Sequence, residues 1–194
     1  MLDQEVIETV AADADLADLV WRVWHFTLER AHNGAGGFRL ASGLPLTPVA
    51  GDWTGGAFFL CGETAAIRPV LYASSEGSAA VIGRGLAEAL QIMIGLPSWH
   101  DCLGYSGGGD LAVMGATLAF LLRDEQASDP GLADHRERAA RALSFDLAPP
   151  AVLLGRLHAM VSATRPDFEL LCDGEPYEST LFGPWHPSRN SAWR

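Results

Sequence analysis

Several groups of side chains in this 194-residue chain are of types that do chemistry. His25, Glu29 and His32 fall four and three residues apart, the interval at which helical positions share a face. Two imidazoles and a carboxylate on one face are ligand types for zinc. His100, Asp101 and Cys102 supply the residue types of a cysteine nucleophile with its base and orienting acid. Asp52 and Glu76 could form a carboxylate pair, for acid–base work or for holding a cation. Gly107, Gly108 and Gly109 stand before Asp110 and a helical pattern, a setting that invites a phosphate loop.

Each group falls short of what its chemistry requires. No second helix offers further ligands to His25, Glu29 and His32, so a solvent-facing polar stripe accounts for them and no metal site is expected. Adjacent residues on a helix point in different directions, so Cys102 is expected to face the core while His100 and Asp101 face water. The triple glycine follows a helix rather than a strand, the chain contains no lysine, and Asp110 would repel an anion; a hinge is the expectation. Asp52 and Glu76 lie in predicted turns, where their types are at home. There is no GxSxG, HExxH, Walker loop or GxGxxG. The residues predict no catalytic group, no metal and no cofactor.

The elements that position these residues can be read from periodicity. Leu16, Leu19, Val20, Val23, Trp24, Thr27 and Leu28 make a sustained apolar stripe that predicts a helix over 15–33, capped by Asp13 or Asp15 and ended at Asn33-Gly34. Apolar runs predict strands over 46–50, 57–61, 68–74 and 78–83, with Pro48 requiring that the first lie at an edge or begin late. Gly51 to Gly56 and Ser75 to Gly77 are turns. Leu86, Ala89, Leu90, Met93 and Ile94 predict a helix stopped by Gly95 and Pro97, and Trp99 to Leu103 a short further one. Asp110 caps a helix carrying Val113, Met114, Thr117, Leu118, Leu121 and Leu122. Another spans 132–143 with a salt-bridged outer face. Pro150 opens a helix over 151–164, and a strand at 168–172, a turn at Asp173-Gly174 and an aromatic tail follow. The predicted organisation is an α+β core over 1–146 and a helix–strand extension over 147–194, too short to stand alone and so docked on the core.

Composition bounds the rest. The net charge is −11 and every cation is an arginine. Residues 1–33 alone hold seven acidic side chains and two arginines, about −5. An acidic surface repels phosphate backbones, so direct nucleic-acid binding is not expected, and a basic partner is favoured. Apolar runs are too short to cross a membrane, and the acidic beginning of the chain is unlike a secretory signal; a cytoplasmic protein is expected. Cys61, Cys102 and Cys172 are widely spaced and read as free thiols.

The order of elements also carries a resemblance. A leading helix, then LPLTPVAGDWTGGAFFLC as strand, Gly-containing turn and strand, then RPVLYASSEG as a strand ending in an acidic turn, then GRGLAEALQIMI as a closing helix, is similar to the SUKH superfamily over about residues 15–105. At Ser75-Glu76 the sequence departs from the histidine or aspartate that many members carry, and the part after Asp110 is long for the family. The resemblance implies an α+β fold with a mixed, largely antiparallel sheet packed against helices. It implies non-catalytic binding, as of an immunity protein that grips and blocks a basic, nuclease-like toxin. The positions it carries over are the sheet-end turns: Asp52, Trp53 and Glu76 as partner-binding residues. An exposed tryptophan in a polar turn is a typical interface anchor; a tryptophan folded back onto the core is the other reading of Trp53. Two further function classes remain open at this point. One is a small-molecule or metal-dependent enzyme using His25, Glu29, His32 or His100. The other is a structural subunit docking through the tail Phe182 to Trp193.

Overall fold

The computed structural model describes residues 1–32, 36–96, 98–177 and 180–189. Its fold is α+β. Helices α1 (Asp3–Ala12) and α2 (Ala14–Trp24) come first. Asp13 separates them, its carboxylate accepting the Leu16 N–H at 3.0 Å, which satisfies one of the orphan donors at the start of α2. Helix α1 has no counterpart in the sequence reading, because its acidic character masks a narrow apolar stripe of Val6 and Val10.

Helix α2 ends nine residues short of the expected Asn33. His25 adopts a left-handed conformation with φ 55° and its N–H returns to the Trp21 carbonyl. Leu28 therefore begins a separate 3₁₀ turn, Leu28–Arg30, and Thr27 exchanges backbone hydrogen bonds with Gly51 instead of continuing the helix. The apolar period carries on past the break because the chain folds back onto the same core. The expected stop at Asn33-Gly34, and Pro97 after a later helix, lie outside the described residues.

Strands β1 (Phe38–Leu40), β2 (Leu46–Gly51), β3 (Ala57–Cys61), β4 (Val70–Ala73) and β5 (Ala79–Gly83) follow. The last four form an antiparallel meander in the order β2-β3-β4-β5, with β2 at the edge and a register shift between Pro48 and Ala50. Both faces of this sheet are buried, which explains strands that read as continuous apolar runs. Phe58, Leu60, Val70, Tyr72, Ala80 and Ile82 face the helices. Phe59, Cys61, Leu71 and Val81 face a second cluster with Leu40 and Leu170.

Five further helices complete the helical layer: α3 (Leu86–Gly95), α4 (Trp99–Gly104), α5 (Leu111–Ser128), α6 (Leu132–Ala142) and α7 (Pro150–Ser162). No helix is long and apolar enough to cross a membrane among the described residues. Strands β6 (Leu170–Cys172) and β7 (Glu175–Pro176) join β1 in a second antiparallel sheet, ordered β1-β6-β7. The expected single mixed sheet is thus two, and every described ladder is antiparallel. β1 could not be assigned from sequence because its pairing partner lies some 130 residues away, beyond any local pattern.

Residues after 147 are woven into this framework. Leu153, Leu157 and Val161 of α7 belong to the same cluster as α3, and a Cβ built on Gly95 would clash with Leu153 Cδ1. Thr164 Oγ1 accepts the Val81 N–H at 2.9 Å, and the Tyr177 hydroxyl donates to the Ser74 carbonyl at 2.5 Å. The triple glycine is a seat for the tail rather than a bare hinge. Gly107 and Gly108 donate to the carbonyls of Trp185 and Gly183, each at 2.9 Å. Gly109, at φ +96°, leaves the space where a Cβ would come within 2.9 Å of the Phe182 ring.

Leu157 is fully buried. Leu157→Ala is expected to lower stability by about 2–5 kcal/mol. In urea unfolding followed by tryptophan fluorescence and far-ultraviolet dichroism, the two probes should shift together in a single transition. A separate early transition for the helix alone would mean that 147–194 folds as an independent layer.

Candidate functional site

The turn between β2 and β3 is built around one carboxylate. Asp52 is 3 % exposed, and its Oδ1 accepts the Thr54 N–H, the Thr54 hydroxyl and the Gly56 N–H, each at 2.8 Å. Its Oδ2 accepts the Tyr72 hydroxyl at 2.7 Å. A Cβ at Gly56 would fall 2.5 Å from both Asp52 Oδ2 and the Tyr72 hydroxyl oxygen, so only glycine fits there. Arg30 closes the turn from outside, donating through Nη1 to the Asp52 carbonyl at 2.8 Å.

This frame presents Trp53, which is 62 % exposed, with the ring of His25 5.1 Å away. Of the two readings of Trp53, the outward one is found. The β4–β5 turn lies beside it at the same end of the sheet: Ser75 Cβ stands 3.6 Å from where a Gly55 Cβ would be. Ser74 Oγ organises that turn by accepting the N–H groups of Glu76 (3.3 Å) and Ser78 (3.1 Å), and the Glu76 side chain is exposed. Trp53 and Glu76 therefore share one rim. Asp52 does not: its carboxylate is committed inside the protein, so its part is to hold the turn, a correction to the expectation that it meets a partner directly.

Electrostatics agree with that division of labour. Burial pushes the Asp52 carboxyl upward, yet the bonds from Tyr72, Thr54 and Gly56 outweigh it and leave its pKa below the ordinary 3.8. The Tyr72 phenol is pushed up by burial and by the Asp52 charge, so it stays a donor. Burial lowers His25, and Asp52 partly opposes this. His100 lies against Trp99 (3.6 Å between ring centroids) and edge-on to Tyr72 (5.1 Å). Desolvation on that packed face lowers its pKa, with Asp52 opposing the shift and His25 adding to it. At neutral pH the cluster holds one carboxylate and two neutral imidazoles.

The other chemistry-bearing groups are scattered. The break at His25 removes the shared helical face of His25, Glu29 and His32, and among the described residues no group of three or more His, Cys, Asp or Glu is placed to hold a metal ion. Cys102 is buried, and its thiol is pushed up to about 12 by burial and by the charges of Asp101 and Glu125, so it stays protonated. All three cysteines are free thiols. Sequence reasoning missed Tyr72, Arg30 and His25 as parts of the site. Tyr72 was the detectable one, a single phenol in an otherwise aliphatic strand whose hydroxyl needs a buried acceptor.

No family model, no curated protein and no solved structure matches this chain.

At neutral pH, Asp52→Ala leaves the Tyr72 hydroxyl and two turn N–H groups without their acceptor and is expected to destabilise the fold by about 3 kcal/mol. Because the native pKa lies below the ordinary 3.8, the contribution of the carboxylate is complete above that value and is lost as pH falls through the lower native one. Urea midpoints measured from pH 7 to pH 2 should therefore decline below about pH 4, and Asp52→Asn should remove that part of the slope. An unchanged slope in the variant would refute the assignment.

Proposed function

We propose that this chain is a non-catalytic binding protein of the SUKH type, an immunity protein that grips a basic, nuclease-like toxin in the cytoplasm and blocks it. The observation that carries the reading is the exposed Trp53 on a turn whose backbone is locked by the buried Asp52. An aromatic ring offered from a rigid frame loses little freedom on binding, which is what makes such residues anchors. Glu76 on the same rim adds a charge that suits a basic surface. The net charge of −11 supports the same partner, since complementary fields speed encounter. The reading draws its family from the order of elements over residues 15–105 and its contact residues from the geometry of the sheet end.

In the tail Phe182 to Trp193, Phe182 is folded back against Gly109 and against the ring of His158 at 5.4 Å, so its aromatic surface is used within the chain, whereas Trp185 is 54 % exposed; residues 190–193 of that tail lie outside the described residues.

The test is affinity capture from native lysate at low and moderate salt, run in parallel with wild type and Trp53→Ala. Wild type should recover one basic protein in a salt-sensitive manner. Trp53→Ala should weaken that complex by at least 2 kcal/mol, roughly 30-fold in Kd, without lowering the urea midpoint. Glu76→Gln should cost about 1 kcal/mol or less, mostly in association rate and mostly at low salt. Equal recovery by Trp53→Ala would remove the anchor and with it this reading.

A further inference from the structure

His25 holds Trp53 by backbone register as well as by ring contact. Thr27 and Gly51 exchange backbone hydrogen bonds at 3.1 and 3.0 Å as an antiparallel bridge. Counting back one residue from Thr27 and on one from Gly51 gives Phe26 and Asp52, both buried. The next step gives His25 and Trp53, which face the other way, as alternation across an antiparallel pair requires. Their rings lie 5.1 Å apart. This placement has a cost in the backbone. His25 sits at φ 55° and ψ 36°, where a Cβ crowds the following carbonyl and glycine or asparagine is the usual occupant. Glycine would relieve the backbone and remove the ring from Trp53.

The charged and titratable groups around the imidazole come from every element packed on it. Asp52, in the β2–β3 turn, favours its protonation through space, although both carboxylate oxygens are already hydrogen-bonded within the turn and to Tyr72 of β4. His100 of α4 and His25 oppose each other's protonation. Arg30 of the 3₁₀ turn spends its guanidinium on the Asp52 carbonyl and the Trp21 ring. Arg22 of α2 is paired with Asp18. Glu76 is exposed on the neighbouring β4–β5 turn. Burial outweighs Asp52, so His25 is neutral at pH 7 and titrates below its ordinary 6.5. It is only partly buried, so a proton can reach it from water.

We infer that His25 is the positioning residue of the Trp53 anchor and a proton-operated control on it: the neutral imidazole supports the ring, and the imidazolium sets a positive charge against the ring and discharges a positively charged partner. This regulation rests on the reading of Trp53 as the anchor for a basic protein. Linkage gives its sign and its ceiling. A partner that prefers the neutral imidazole is held fully above the His25 pKa. Its affinity falls as pH drops through that value, by at most about tenfold per pH unit for one proton.

The control can be read on the full chain without a partner. Trp53 emission is isolated as the difference between wild type and Trp53→Phe, since Trp185 is also exposed. Collisional quenching by caesium ion and by neutral acrylamide is then followed from about pH 7.5 to about pH 4.5 at constant ionic strength. Caesium quenching of Trp53 should fall about twofold or more through one midpoint below 6.5, while acrylamide quenching stays level. His25→Asn, which tolerates the left-handed backbone, should abolish the change, and His25→Gly should do the same. His100→Gln should keep it. No midpoint, a midpoint that survives in both His25 variants, or one lost in His100→Gln would overturn the assignment. With the natural partner, complexes captured at pH 7.5 should be released at about pH 5 from wild type and retained on His25→Asn. Equal release from both would overturn the control. Capture indifferent to Trp53→Ala would instead sink the reading beneath it, and the quenching titration would still decide the coupling of His25 to the ring.

Discussion

Four hydrogen bonds converge on the carboxylate of Asp52, and the order of the β2–β3 end of the sheet depends on them. An ionised group at 3 % exposure is a liability unless its acceptor capacity is filled. Here it is filled from two directions. The turn's own N–H groups and the Thr54 hydroxyl define the loop, and the Tyr72 hydroxyl ties that loop to β4, two strands away from β2. Tyr72 in turn packs on Phe58 and edge-on to Trp99, so the anchor turn is coupled to α4 through a chain of rings. A mobile loop carrying a tryptophan would lose much of its binding energy to ordering; this one is already ordered.

A similar device works at the other end of the sheet. Asp3 is 2 % exposed, and its two carboxylate oxygens accept the N–H of Leu86, at the start of α3, and of Arg68, on the way into β4. One acidic side chain in α1 thereby caps a helix 83 residues away. Both buried aspartates satisfy backbone donors that would otherwise be orphaned where strands give way to turns and helices. Part of the acidic composition thus has structural work, and acidity alone overstates the charge a partner meets.

Local signals carried well into the structure. The four-strand meander, the Asp110 cap, the Pro150 helix start and the helices at α3, α4, α5 and α6 were all legible, because period, cap and breaker residues act within a few positions of one another. What failed was non-local. The helix over 15–33 was drawn too long because Thr27 and Leu28 keep the apolar period while the backbone turns at His25. β1 and its sheet needed a partner from the far end of the chain. At the site, the turn and the exposure of Trp53 were within reach of sequence reasoning. The inward commitment of Asp52 was not, since an aspartate before a glycine-bearing turn reads the same whether its carboxylate faces water or a buried tyrosine.

Arginine use explains how a chain with no lysine keeps its acidic face. Arg136 bridges the Glu125 carboxylate and the Ile94 carbonyl, Arg84 grips Glu88 through two nitrogens, and Arg141 pairs with Glu137. Arg30 is bound to a backbone carbonyl and an aromatic ring. A planar guanidinium with five donors suits such internal bridging better than an ammonium does. Arg84, Arg136 and Arg141 are each held against an acid, while the chain as a whole carries −11. A net-negative surface favours the approach of positively charged molecules, and that long-range field weakens with salt. A rigid aromatic such as Trp53 contributes through desolvation and packing, which salt screens far less. In the binding reading proposed above, steering and holding fall to different groups, the first to the excess acids over the whole surface and the second to one ring on one turn.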